Sequence, residues 1–249
     1  MSVTTRTVIR ANVPSEEKAA RQIVKYTFFQ VDPAWRRLSP EERAAQKDEF
    51  ARVLENFDER VLILTYSTVG TRGDCDFLIW SASENLEAVQ QLVTALRSTR
   101  LGAYVTTPYS YLAMTKRSRY VGAHTHEGQE GKRARLHPIG AKYLFVYPMV
   151  KKREWYRLPL EERQRAMNQH FEIGHRYPSV KINTTYSFGL DDQEFVVAFE
   201  TDSPSDFLDL VEELRPSESS KYTERETPIF TCIAMEPRAV LDALGGARE

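Results

Sequence analysis

The apolar residues of this chain fall into stretches of two periods that alternate in a fixed order. Val24–Val31 and Tyr143–Val150 are rich in β-branched and aromatic residues and predict leading strands. A longer helix opened by acidic residues follows each, with Pro40 or Pro159 in its first turns, where a missing N–H costs nothing. Next come the strand pairs Leu62–Thr68/Asp76–Ser81 and Lys181–Phe188/Glu194–Glu200, turned by GTRGD in the first pair and GLDD in the second. Helical spacing returns at Leu86, Val89, Leu92, Val93 and Leu96, and again at Phe207, Leu210, Val211 and Leu214. Closing strands Tyr104–Met114 and Ile229–Met235 complete the order β-α-β-β-α-β twice, which is the order of the ferredoxin-like split βαβ unit.

The two copies also share residues. Trp35-Arg36-Arg37-Leu38 and Glu41-Glu42-Arg43 reappear 120 positions later as Trp155-Tyr156-Arg157-Leu158 and Glu161-Glu162-Arg163, and the same offset carries Thr65-Tyr66-Ser67 onto Thr185-Tyr186-Ser187. Phe77 and Leu96-Arg97 map onto Phe195 and Leu214-Arg215 with an offset of 118, as a two-residue difference in the turn requires. The expected fold is therefore α+β: tandem ferredoxin-like repeats with antiparallel sheets, of the dimeric α/β-barrel kind. Residues 1–114 form a first, structural repeat, 115–141 a basic, Gly-rich linker, and 142–249 a second repeat.

Charge narrows the classes of partner. The 249 residues carry 34 Lys plus Arg against 35 Asp plus Glu, a balance of −1 that gives no general field for nucleic acid. Cys75 and Cys232 stand alone in sequence, which argues against a disulfide scaffold or a zinc knuckle and fits a reducing cytosol. No stretch has the length of a membrane span or the apolar core of a signal peptide, so a cytoplasmic, uninserted chain is expected.

Candidate chemistry lies where the copies disagree. His170 aligns with Phe50 and shares the apolar stripe of its helix with Met167 and Ile173. Two readings are open: a core histidine satisfied by its neighbours, or a ligand to haem, whose porphyrin supplies the other four nitrogens. No second metal ligand stands at chelating spacing from it. Tyr147 stands where the first copy has Thr27, as a half-buried strand tyrosine or a functional one. Lys151-Lys152-Arg153 replaces Val31-Asp32-Pro33, as a solvated surface run or, with the linker, a grip for carboxylates.

The second half contains Lys142-Tyr143, Tyr147-Pro148-Met149-x-Lys151-Lys152-Arg153, Trp155-Tyr156-x-Leu158-Pro159-x-Glu161-Glu162-Arg163, Asn168-Gln169-His170-x-x-Ile173-Gly174 and Ser187-Phe188-Gly189-Leu190-Asp191-Asp192-x-Glu194. In these residues the chain resembles the chlorite dismutase-like haem proteins, and within them the coproheme decarboxylases of bacterial haem synthesis. The resemblance covers nearly the whole chain. It implies two ferredoxin-like repeats, a homopentamer, a porphyrin in the second repeat, and coproporphyrin ferrochelatase as a delivery partner. Carried over residue by residue, His170 matches the iron ligand and Glu218 the carboxylate bonded to its other nitrogen. Tyr147 matches the tyrosine that carries the oxidising radical to a propionate. Met149 and Lys151 match contacts to the porphyrin edge, Arg135 and Tyr111 propionate contacts, and Trp155 a tryptophan on the iron ligand's side.

The implied reaction is hydrogen peroxide-dependent oxidative decarboxylation of iron-coproporphyrin III (coproheme), at once substrate and redox centre, to haem b through a three-propionate intermediate. Chlorite-degrading members have an arginine where this chain reads Ile182, and isoleucine donates no hydrogen bond. A chlorite dismutase or peroxidase-like enzyme and a non-catalytic haem carrier or sensor remain the competing readings. His124, His126 and His137 of the linker receive no role.

Overall fold

The computed structural model describes residues 20–120 and 135–245. The chain divides into two compact units: residues up to Leu112 together with those from Thr231 onward, and residues Ala113–Phe230.

In the first unit, β1 (Ile23–Val31) lies antiparallel to β3 (Phe77–Ser83), and β3 pairs antiparallel with β2 (Leu62–Ser67), the split βαβ arrangement. Helix α1 (Pro40–Glu55) begins at a reciprocal cap: Ser39 Oγ accepts from the Glu42 N–H and Glu42 Oε2 accepts from the Ser39 N–H. Helix α2 (Leu86–Arg97) is capped by the Asn85 side chain, and β4 (Val105–Met114) follows it. Phe50 of α1 meets Phe29 and Phe77 edge-on, at 6.4 and 6.0 Å between ring centroids, and those two rings stack at 4.9 Å. The closing strand expected for the second copy instead belongs to this unit. After β8 (Thr223–Arg225), β9 (Phe230–Ala234) pairs with β2 through Ala234 and Ile233, opposite Tyr66 and Ser67. Thr65 and Thr71 hydroxyls donate to the Met235 and Thr231 carbonyls, both at 2.6 Å. An open edge on β2 is thereby covered. A short helix, α6 (Pro237–Asp242), then adds Val240, Leu241 and Leu244 to the core around Phe50.

The second unit repeats the pattern. β5 (Tyr143–Lys151) pairs antiparallel with β7 (Phe195–Thr201), and β7 with β6 (Lys181–Tyr186). The short helix α3 (Arg153–Arg157) and helix α4 (Leu160–Gly174) follow β5, and α5 (Pro204–Leu214) follows β7 with Ser203 as its cap. Met114 at the end of β4 pairs with Tyr186. The end of the expected linker is tied down: the N–H groups of Ile139 and Gly140 donate to the fully buried Glu200 carboxylate at 3.0 and 2.9 Å, and Asn183 Nδ2 donates to it at 3.0 Å. Lys132 and Arg133 of that linker, with His124 and His126, lie outside the described residues.

The register departs from sequence in one place. Ser67 stands opposite Phe77, whereas Tyr186 stands opposite Phe195, so β2 superposes on β6 with an offset of 119 rather than 120. Gly70 and Gly189, both at positive φ, keep the same offset. Because side chains alternate with period 2, the shared Thr-Tyr-Ser is turned over: Tyr186 shares a face with Phe195, while Tyr66 shares one with Leu78.

The helices also differ in how much they bury. α1 buries Gln46, Lys47, Phe50, Ala51 and Leu54; α4 buries only Ala166 and Ile173, leaving His170 half-buried. α4 thus contributes fewer buried side chains to its unit than α1 does. Phe50→Ala should cost about 3–5 kcal/mol, whereas His170→Ala in the ligand-free chain should cost no more than about 1–2 kcal/mol. Midpoint shifts in urea, compared for the two variants, check the contrast.

Candidate functional site

The candidate site builds outward from β5. Alternation puts Phe145, Tyr147 and Met149 on one face, opposite Phe199, Val197 and Phe195 of β7, and Ile182 of β6 stands opposite Phe199 on the same face. Ile173 of α4 and Phe207 and Leu210 of α5 pack on this face with Tyr147 and Phe199 in one cluster. Ile182 and Met149 are partly buried against it. His170 precedes Ile173 by one helical turn and so lies on the sheet-facing side of α4.

Tyr147 is 9% exposed, and its ring stacks on Phe199 at 5.9 Å. Burial pushes its phenol up to about 12, against the opposing charge of Arg215. That phenol therefore stays protonated at neutral pH. His170 moves the other way: burial, reinforced by the positive charge of Lys151, lowers its pKa to about 4, so its imidazole is neutral and has a lone pair to offer.

The hydrogen bond on the ring is not the one expected. Ser219 Oγ lies 3.3 Å from His170 Nδ1. Glu218, which the resemblance assigns to that place, is exposed; its backbone N–H donates to Gln169 Oε1 at 3.0 Å, and its side chain lines a surface cleft of about 470 Å³ with Glu162 and Gln169. The reason is local alternation in the turn after α5, where Ser217 and Ser219 point inward and Glu218 points out. Ser219 carries a signal in the sequence: an offset of 118 sets it on Leu101, a change from apolar to polar at a core position.

Lys151 also differs from expectation. Its side chain turns inward: Nζ donates to the Ser219 carbonyl at 2.7 Å and to Thr223 Oγ1 at 3.2 Å, and sits 5.3 Å from the Trp155 ring centroid. Burial brings this ammonium down to about 8, with Glu194 opposing the shift. Trp155 is buried between Lys151, Tyr120 and Tyr222, its ring centroid 6.2 Å from that of Tyr120 and 5.5 Å from that of Tyr222. Glu194 clips the end of β5: its carboxylate accepts from the Lys151 N–H at 2.9 Å and from the Tyr156 hydroxyl, and lies 3.4 Å from the Arg153 guanidinium. In the first unit Asp76 makes the same clip, accepting from the Val31 N–H at 2.7 Å, so this carboxylate belongs to the scaffold.

Two further residues were expected as propionate contacts. Tyr111 is in the first unit, edge-on to Phe28 at 6.2 Å, and Arg135 is half-buried at the start of the second described segment. Arg215, whose charge reaches Tyr147 and which pairs with Glu226, is a cation that sequence reasoning did not assign to the site. Among the described residues no cluster of three or more His, Cys, Asp or Glu could hold a metal ion, and no helix is long and apolar enough to cross a membrane. A single neutral imidazole suits an iron whose remaining in-plane ligands come from a porphyrin, and the thinly buried underside of α4 suits a flat apolar group.

Comparisons with known proteins agree with this architecture. The sequence profile described as "Chlorite dismutase" matches residues 17–235. A curated relative, "Coproheme decarboxylase" of Mycolicibacterium smegmatis, is 31% identical over 216 residues, covering 86% of this chain and 91% of that protein. A variant of the chlorite dismutase from Candidatus Nitrospira defluvii superposes with a TM-score of 0.81 at 25% identity, over 89% of this chain and 94% of that one. A putative chlorite dismutase, TA0507, superposes with a TM-score of 0.77 at 22% identity, over 91% of this chain and all of that one, which speaks to the fold. With its tandem antiparallel α+β units and a profile match over most of its length, this chain belongs to the chlorite dismutase family.

Proposed function

We propose that the chain is a coproheme decarboxylase, converting two propionates of iron-coproporphyrin III to vinyl groups with hydrogen peroxide as oxidant. The observation that carries this reading is a neutral imidazole on α4, one helical turn before Ile173, which packs in the same apolar cluster as the protonated Tyr147. The similarity to the Mycolicibacterium smegmatis protein supports it independently.

When bound, the porphyrin iron supplies the one-electron chemistry with peroxide. The chain's own groups do the rest. His170 would hold the iron through a ring nitrogen that burial keeps unprotonated. Phe145, Val197 and Phe199 would keep water from the apolar side of the site, and Phe199 stacks on the Tyr147 ring. Tyr147 keeps its proton until the phenol is oxidised, and the proton and electron then leave together rather than by prior ionisation, which a pKa of about 12 disfavours at neutral pH. The radical so formed would take a hydrogen atom from a propionate, and loss of a second electron would release its carboxylate as carbon dioxide and leave the vinyl group; the two electrons removed per propionate match one hydrogen peroxide reduced to two waters. Arg215, whose charge acts on Tyr147, would meet a substrate carboxylate beside that residue, and Arg135 is the propionate contact that the family resemblance assigns. Ile182, packed against Phe199 in apolar surroundings, has no donor with which to hold a chlorine oxyanion, which disfavours chlorite chemistry.

Peroxide added to the coproheme-loaded protein should yield carbon dioxide and a porphyrin lighter by two carboxyl groups and two hydrogen atoms, read by mass spectrometry; an unchanged porphyrin mass would overturn the proposal in favour of a carrier. Tyr147→Phe should bind coproheme normally but decarboxylate about 100-fold or more slowly, on the order of 2.7 kcal/mol of barrier, as single-turnover rates would show. His170→Ala should shift the absorption bands of bound coproheme. By NMR, His170 of the ligand-free chain should titrate near pH 4. An unfolded imidazole binds its proton at about 6.5, so between these values the unfolded chain holds the extra proton. This group therefore makes folding stability fall as pH is lowered through that window.

A further inference from the structure

We infer that Ser219 is a positioning residue that fixes the ring of His170 in the Nδ1–H tautomer, leaving Nε2 as the nitrogen with the lone pair, and that Glu218 takes no part. The inference deepens the proposed reading, because it names which nitrogen would hold the iron and what holds the ring.

One chain of hydroxyls decides where the protons sit. Ser217 Oγ donates to the Leu214 carbonyl at 2.7 Å, which spends its only proton. Ser217 Oγ also lies 3.2 Å from Ser219 Oγ, and with its proton committed it acts there as acceptor. The Ser219 proton therefore goes to Ser217. What Ser219 Oγ has left for His170 Nδ1, 3.3 Å away, is a lone pair, and the ring nitrogen must donate. Nδ1 thus carries the ring proton. The Ser219 backbone is itself held, because Lys151 Nζ donates to its carbonyl at 2.7 Å and to Thr223 at 3.2 Å.

The first unit serves as an internal comparison. There Thr99 Oγ1 donates to the Leu96 carbonyl at 2.7 Å, the same bond that Ser217 makes to Leu214 at the matching positions. Where the second unit has His170 beside Ser219, the first has Phe50 and Leu101, both fully buried in one apolar cluster. An apolar pair has been replaced at both members by a hydrogen-bonded polar pair, while the carbonyl-capping hydroxyl next to it is retained. An imidazole substituted alone would lose a partner for its inward ring nitrogen, and Ser219 is the change that supplies one. The partner is a neutral hydroxyl, so it orients the ring without drawing the proton away as a carboxylate would.

Two-bond proton–nitrogen correlation spectra of the ligand-free, full-length chain distinguish the two neutral tautomers directly. The wild type should show His170 with Nδ1 protonated and Nε2 bare. Ser219→Ala should shift the ring to the Nε2–H form that neutral histidine otherwise prefers, and Glu218→Gln should leave it unchanged. With ferrous coproheme bound, Ser219→Ala should lower the iron–histidine stretching frequency in resonance Raman spectra and weaken coproheme binding by about 10-fold or more; Glu218→Gln should do neither. A wild-type ring protonated at Nε2, or a tautomer that responds to Glu218→Gln and not to Ser219→Ala, would overturn the inference. A wild-type Nδ1–H ring combined with unchanged coproheme absorption in His170→Ala would uphold the tautomer and overturn the functional reading.

Discussion

The antiparallel register between β5 and β7 is the constraint on which the second unit's chemistry rests. It runs from Tyr143 opposite Thr201 to Met149 opposite Phe195 without a slip. Strand side chains alternate, so this register sends Tyr147 and Met149 to one face together with Phe199 and Phe195, and sends Glu200 to the other. On the first face α4 and α5 contribute Ile173, Phe207 and Leu210. On the second, Glu200 collects the Ile139 and Gly140 N–H groups and the Asn183 amide, so the chain enters β5 from a fixed point. A shift of β5 by one residue would take Tyr147 off the apolar face and turn it to the side that carries Glu200.

The duplication separates scaffold from chemistry by physical comparison. The clip between a carboxylate after the hairpin turn and a strand-end N–H occurs in both units, through Asp76 and Val31 in one and Glu194 and Lys151 in the other. The buried tryptophans Trp35 and Trp155 and the carbonyl-capping hydroxyls Thr99 and Ser217 also correspond. Against that shared frame, the first unit closes its core with Phe50 and the residues of α6, while the second buries fewer side chains of α4 and sets His170 against Ser219. Removing apolar filler lowers packing energy. The concession falls in one half of a duplicated fold whose other half keeps a full core.

Much of this was legible in the sequence because it depends on local period. The alternation in Tyr143–Val150 and the helical spacing around His170 placed both residues on inward faces, and the mismatch with Thr27 and Phe50 marked them. What was not legible depends on non-local pairing or on turns. The partner of the closing strand is decided by which sheet edge is open, so β9 on β2 could not be read from Ile229–Met235 itself. The inward turn of Ser219 and outward turn of Glu218 follow from the geometry after α5, where neighbours in sequence point to opposite sides. The direction of Lys151 is set by the Ser219 carbonyl, which is close in space and far in sequence.

The one-residue slip between β2 and β6 bears on how such a site could be moved by design. An engineer copying the second half's pocket into the first would use an offset of 120 for the leading strand and main helix, converting Thr27 and Phe50, and 118 for the turn that holds Leu101. The lining of the intervening strand follows a third rule, 119, under which Ile63 already stands where Ile182 does. A chimaera spliced on the matching Thr-Tyr-Ser letters would present the wrong side of that strand to the new cavity, although every transplanted residue type would be correct.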